Sequence, residues 1–159
     1  SLVCKSPVIS LLTCVVFLAL ATPIQAGTIY TWDGSDSSLW TAGGNWSGGS
    51  APTLATDEIV FYATGATNLA TSLNGTSYSI NSLTFNSTAT SNVTLAATGA
   101  ETLTIGAGGV SVSSATHNVY ISAPVVLGAT QTWTISSSAA SYAMSVTGVI
   151  SGVGFNLTN

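Results

Sequence analysis

The sequence predicts an all-β fold: a parallel β-solenoid behind an aromatic N-terminal cap, with a β-sandwich as the alternative. Three observations predict it. The chain is 46% hydrophobic yet only 4% charged, against roughly 25% charged residues in ordinary soluble domains. Its polar residues are mostly Ser, Thr, Asn and Gly, types that suit pleated surfaces or tight turns. A short unit of apolar, hydroxyl and apolar residues recurs, and no segment keeps a helical period. Disorder does not explain the missing charge, because disordered chains combine high charge with low hydrophobicity.

The first element is a leader. Lys5 precedes an apolar run from Val8 to Leu20, Pro23 breaks it, and Ile24-Gln25-Ala26 ends on a small residue. A basic start, a short apolar run and a small residue at the cut define a secretory signal peptide, residues 1–26. Cleavage is expected between Ala26 and Gly27, with Ala21 as the alternative site. The run is 13 residues long, shorter than the ~20 needed to span a bilayer, so an uncleaved anchor is the weaker reading. Cys4 and Cys14 both fall in the leader, and Cys14 lies inside the apolar run rather than at a lipoprotein cut. The chain begins with Ser1 rather than Met, so its natural start is expected upstream.

Beyond the leader the chain carries Asp33, Asp36, Asp57, Glu58 and Glu101 and no Lys or Arg. Phosphates are bound mainly through Lys and Arg, so this balance argues against nucleic acid as a partner. It argues equally against anionic membrane surfaces. No membrane insertion by the exported segment is expected. No cysteine follows the leader, so disulfides do not hold the domain together.

Residues 27–62 form a Trp-rich cap segment. They hold Trp32, Trp40 and Trp46 with Tyr30, Phe61 and Tyr62. An open first coil exposes strand edges, and an aromatic cluster is one way to cover them. Tryptophans also line sugar-binding surfaces, so Trp32, Trp40 and Trp46 are candidate glycan contacts. The two readings differ in where the indoles point: inward for a cover, outward and coplanar for a sugar platform.

Residues 63–159 are expected to form the solenoid coils. The recurring units are Leu83-Thr84-Phe85, Val93-Thr94-Leu95, Leu103-Thr104-Ile105, Val110-Ser111-Val112, Val119-Tyr120-Ile121, Val125-Val126-Leu127, Trp133-Thr134-Ile135 and Met144-Ser145-Val146. Each reads as a short strand with two side chains inward and one outward. Turn-formers separate them, among them Gly106 to Gly109. Regular strand spacing also fits a sandwich, but the very short strands and scarce hairpin signals favour coils of about 20–30 residues stacked on their neighbours. Inward positions are expected to include Leu83, Phe85, Leu103, Ile105, Val110, Val112, Ile121, Val125, Leu127, Trp133, Ile135, Met144 and Val146. Scarce charge suits such a stack. Like positions lie above one another, so a charged column repels itself, whereas Ser, Thr and Asn columns hydrogen-bond along it.

The order Trp32-Asp33-Gly34, Trp40, Asn45-Trp46, Pro52, Asp57-Glu58-Ile59-Val60-Phe61 and Ser82-Leu83-Thr84-Phe85 resembles the start of bacterial autotransporter-associated β-strand repeat proteins. The resemblance continues through Leu103-Thr104-Ile105, Gly108-Gly109-Val110, Leu127-Gly128, Gln131-Thr132-Trp133 and Val146-Thr147-Gly148-Val149-Ile150-Ser151-Gly152-Val153-Gly154. It implies a right-handed parallel β-helix in a large exported protein, built as a stalk on or outside the cell. Such proteins commonly end in a membrane barrel or a sorting tag. This sequence shows neither, and it lacks the family's Gly-Ala-Asn-Thr-Tyr-Ser-Gly-Gly-Thr-like repeat. The chain is therefore expected to be the N-terminal part of a longer protein.

No catalytic constellation is legible. Sugar lyases usually use a Lys or Arg, and none follows the leader. Glycosidases need paired carboxylates about 5–9.5 Å apart, whereas Asp57 and Glu58 are strand neighbours that point to opposite faces. Asp33 and Asp36 fit turn chemistry and fall short of the six to eight oxygens of a Ca²⁺ site. His117 stands alone in a turn. No Gly-x-Ser-x-Gly elbow is present. Asn45, Asn74, Asn86, Asn92 and Asn156 each begin an Asn-x-Ser/Thr triplet and are read as turn and stacking residues. The expectation is a secreted or cell-surface structural or adhesive protein, with no enzyme activity, no metal and no cofactor. Surface glycans or its own copies are the candidate partners. A carbohydrate-binding module and a self-assembling filament subunit are the alternatives.

Overall fold

A computed structural model describes residues 26–61, 65–86, 91–115, 117–137 and 143–159. The apolar run of the expected signal peptide and Tyr62 lie outside the described residues.

The described residues form twelve strands: β1 (Ile29–Thr31), β2 (Glu58–Phe61), β3 (Ala70–Ser72), β4 (Tyr78–Phe85), β5 (Val93–Ala96), β6 (Leu103–Ala115), β7 (Val119–Ile121), β8 (Val125–Leu127), β9 (Gln131–Ser137), β10 (Met144–Val146), β11 (Ile150–Ser151) and β12 (Leu157–Thr158). Every strand pair is parallel. The sandwich alternative, which needs antiparallel hairpins, is thereby excluded. The strands stack as a β-solenoid of about 5 turns. Side-chain hydrogen bonds between successive coils join residues 23 to 27 positions apart, within the coil length read from the sequence.

Each coil contributes to three columns of strands. One contains the first halves of β4 and β6 with β8 and β11. The second contains β1, β2, the second halves of β4 and β6, β9 and β12. The third contains β3, β5, β7 and β10. Stacking puts like on like: Ile80 beside Ile105 beside Leu127, Leu83 beside Val110 beside Trp133, and Leu95 beside Ile121. These residues fill one continuous apolar core, which is how a chain with strands of three residues still buries its side chains.

Two expectations change. The units at Leu103 and Val110 are not separate strands across a turn. They are one strand, β6, that bends at Gly106 to Gly109 while its register against β4 shifts between Ile80 and Ser82. Pairing with β4 breaks off after Ile105 and resumes at Gly109, and within the bend the Gly108 N–H donates to Asn81 Oδ1 at 3.3 Å. In addition, Ile135 is 42% exposed, and Met144 and Val146 are only half-buried. The other expected inward residues are buried. The exceptions lie on the last rungs. Ile135 continues the column Phe61, Phe85, Val112, and among the described residues β12 pairs with Gln131 and Thr132 of β9 but not with Ile135.

β1 and β2 pair in register with the solenoid sheet. They are its first rungs, and the segment from Trp32 to Gly49 lies against them. Uncharged columns form along the stack. Asn92 Oδ1 accepts from the Asn118 N–H at 3.0 Å, and Asn118 Oδ1 accepts from the Ala143 N–H at 2.9 Å. Ser113 donates to Asn86 Oδ1 at 2.6 Å.

Candidate functional site

The Trp-rich segment is the main candidate raised by the sequence, and its geometry follows from the strand edges beneath it. At the β1 edge the Ser47 N–H donates to the Thr31 carbonyl at 2.8 Å, and Ser47 Oγ accepts from the Thr31 N–H at 3.1 Å. At the β3 edge the Trp40 N–H donates to the Ser72 carbonyl, and the Ser72 N–H to the Ser38 carbonyl, both at 2.9 Å. The segment thus satisfies backbone groups that a bare first coil leaves open.

A single 3₁₀ turn, Gly43–Asn45, presents Trp46 to this edge. Asn45 is completely buried and closes the loop. Its Oδ1 accepts from the N–H groups of Asp36 and Ser37, and its Nδ2 donates to Ser37 Oγ and the Leu39 carbonyl. Asp33 makes the expected turn, accepting from the Ser35 N–H at 2.9 Å.

Trp32 and Trp40 have no exposed surface, and Trp46 is 2% exposed. Trp46 meets Trp32 edge to face at 4.9 Å and 84°, and Trp40 at 5.2 Å and 88°. Trp32 and Trp40 then pack on Phe61, and Phe61 stacks on Phe85 at 5.1 Å. The aromatic column therefore runs down into the solenoid core. Each indole N–H has a partner: Thr67 O for Trp32, Thr71 Oγ1 for Trp40 and Trp40 O for Trp46. The Thr71 hydroxyl in turn donates to the Thr94 carbonyl of the next coil. These are core contacts. The glycan-platform reading of Trp32, Trp40 and Trp46 requires exposed coplanar rings, and the rings are neither.

The remaining polar candidates are also absorbed by backbone. Asp57 is fully buried, and its carboxylate accepts from the N–H groups of Thr28, Thr53 and Leu54 at 2.8–3.1 Å. Glu58 is half-buried on β2. No sequence pattern singles out Glu101 or Gln131 as a brace. Gln131 is 2% exposed, donates to the Ile105 carbonyl and accepts from the Trp133 indole. The Ile105 carbonyl lies 26 residues away on the preceding coil, so no local pattern signals this bracing. His117 is half-buried in the turn before β7. Among the described residues no three His, Cys, Asp or Glu side chains gather as a metal site. No described helix is long and apolar enough to cross a membrane.

Glu101 braces a corner between two coils. It accepts from the Thr98 hydroxyl at 2.6 Å, from the Gly99 N–H at 2.5 Å and from the Gly75 N–H of the preceding coil. The Thr98 hydroxyl and then the backbone donors lower its pKa from 4.5 to about 2, against the opposing effect of burial. The folded carboxyl therefore ionises below its unfolded counterpart. Its contribution to stability is complete above the unfolded value and is lost as pH falls from 4.5 towards about 2. Glu101→Gln is expected to lower the melting temperature at neutral pH and to approach the wild-type curve at the acid end. Parallel melting curves over the whole range would contradict this assignment.

Two shallow surface grooves flank Ser77. One, of about 250 Å³, runs from Pro52 and Thr53 to Thr76 and Ser79; the other, of about 480 Å³, runs from Gly75 to Glu101. Neither holds a carboxylate pair. Fold and geometry thus define a parallel β-solenoid whose buried polar groups serve its own backbone. No protein-family model, curated protein or solved structure matches the chain.

Proposed function

We propose that the chain is an exported, non-catalytic structural or adhesive β-solenoid on or outside the cell, of the kind that autotransporter-associated repeat proteins represent. The observation that carries this reading is the state of the buried carboxylates. Asp57 and Glu101 are each held by three donors, so neither offers a free oxygen to act as acid, base or nucleophile. What remains on the outside is an array of uncharged polar groups, including Thr84, Ser111 and Thr134 in one register. Such a surface suits contact with neutral polysaccharide or with other copies of the chain. The leader sequence supports export, with Gly27 as the first residue of the processed protein.

The test is expression with the leader in a bacterial host, followed by N-terminal sequencing of the exported product. Sequencing is expected to start at Gly27. The same product, incubated with a panel of neutral and acidic polysaccharides, is expected to release no new reducing ends and no unsaturated sugars. Retention of the apolar run would defeat the export reading. Turnover abolished by Asp57→Asn or Glu58→Gln in a folded variant would defeat the non-catalytic one.

A further inference from the structure

Residues Leu73 to Thr76 turn the chain from β3 into β4. The Thr76 N–H donates to the Leu73 carbonyl at 3.3 Å, and Asn74 and Gly75 have φ of +49° and +77°. Positive φ at both central residues makes this a type I′ turn, for which Asn-Gly is a preferred pair. It is the one Asn-Gly pair in the chain, and both residues are exposed. Asn-Gly is also the pair most open to deamidation, because glycine has no Cβ to shield its nitrogen from the preceding side chain. In that reaction the Gly75 nitrogen bonds to Cγ of Asn74 and gives up its proton to water. The Cγ–Nδ2 bond breaks, and Nδ2 leaves as ammonia. Water then opens the five-membered ring. Opening at Cγ leaves aspartate, and opening at the main-chain carbonyl leaves isoaspartate.

The turn type governs whether this ring closes. Closure needs Cβ of Asn74 and N of Gly75 on the same side of the Cα–C bond, at ψ of about −120°, the value of a type II′ turn. A type I′ turn holds this ψ at about +30°. The peptide between Asn74 and Gly75 must therefore flip before it reacts, and the flip swings the Gly75 N–H away from its partner. That partner is the Glu101 carboxylate of the next coil, itself fixed by the Thr98 hydroxyl at 2.6 Å and the Gly99 N–H at 2.5 Å. The Asn74 side chain is held only by a long contact, from its Nδ2 to Thr41 Oγ1 at 3.4 Å.

We infer that Asn74 is a covalent modification site, deamidated by attack of the Gly75 nitrogen, and that the Glu101 carboxylate locks it by holding the Gly75 N–H in the unreactive turn. Either product puts a new carboxylate one residue from the peptide that Glu101 holds, where like charges repel. Isoaspartate also lengthens the main chain by one methylene. Both changes loosen this corner between two coils. The chemistry is independent of the proposed role at the cell surface.

The experiment incubates the purified chain at neutral pH and follows residue 74 by peptide mapping with mass spectrometry, scoring aspartate and isoaspartate separately. Conversion is expected in urea, where the turn is lost. In the folded chain it is expected to be slower by about tenfold or more, because a charge-assisted hydrogen bond must break before the peptide flips. Glu101→Ala removes the lock and is expected to raise the folded rate about tenfold. Circular dichroism establishes that this variant is folded. Thr98→Val, which removes only the hydroxyl that positions Glu101, is the milder variant and is expected to give an intermediate rate. Ile121→Val, a core change in β7, separates loss of the lock from general loosening and is expected to keep the wild-type rate. Four results would overturn the inference: no conversion at residue 74 in urea, equal rates in urea and in the folded chain, Glu101→Ala and Thr98→Val both folded and both as slow as wild type, or Ile121→Val as fast as Glu101→Ala.

Discussion

Replacing Trp46 by Ala is expected to lower the stability of the fold by about 3–5 kcal/mol, the range for truncating a buried large aromatic side chain. Trp46 is the keystone of the cover. Its ring meets Tyr30, Trp32 and Trp40, and its N–H satisfies the Trp40 carbonyl at 2.9 Å. Truncation removes the packing and leaves that carbonyl unpaired, a separate penalty of about 1–3 kcal/mol where water cannot enter. Trp46→Phe is expected to recover part of the loss, since it restores volume without the donor. Ile29→Ala, at a residue 61% exposed, is expected to stay within about 0.5 kcal/mol of wild type. Urea denaturation of the three variants checks the order. Near-wild-type stability for Trp46→Ala would mean that the indole is not part of the core.

A second large effect is expected at Gly109. This residue stands where β6 leaves its bend, with φ of +65°, and an added Cβ would lie 2.1 Å from the Thr132 carbonyl oxygen. Two costs combine in Gly109→Ala. The left-handed backbone disfavours a side chain by about 1–2 kcal/mol, and the overlap forces the β6–β9 rung apart at about 1–3 kcal/mol more. The expected loss is about 2–5 kcal/mol. Gly75→Ala separates the two terms, because Gly75 has φ of +77° but open space around its Cβ position. It is expected to cost about 1–2 kcal/mol, the backbone share alone. Equal losses at the two positions in denaturant titrations would show that the Thr132 contact contributes nothing.

The strand cores were legible because each apolar unit repeats at coil spacing and stacks on its like. Leu83, Leu103, Ile105 and Val125 needed only the two-residue period of a strand to be placed inside. The continuity of β6 was not legible, since Gly106 to Gly109 carry the composition of a turn and only the neighbouring coil turns them into a bend. β3 was missed for a related reason. Its inward residue is Thr71, a polar side chain whose burial depends on the Trp40 indole and the Thr94 carbonyl from distant parts of the chain. Ile135 was misplaced because a local pattern tells which face a residue takes but not how far its neighbours cover it. The cover followed from its tryptophans, but not the means of holding it. Asn45 reads as the start of an Asn-x-Ser triplet, yet its four hydrogen bonds make it the brace of the loop.

Whether the aromatic segment is a cover or a binding platform decides between the structural reading and its rival, and fluorescence reports on it directly. All four tryptophans are buried, Trp133 being the most exposed at 5%. The native chain is expected to emit at short wavelength, to resist acrylamide quenching, and to show no spectral change with neutral oligosaccharides. Denaturant should shift the emission to the red and open every indole to quencher in a single transition. A native spectrum that is already red-shifted, readily quenched and altered by added oligosaccharide would contradict the account, because it would place the tryptophans outside the core and in contact with sugar.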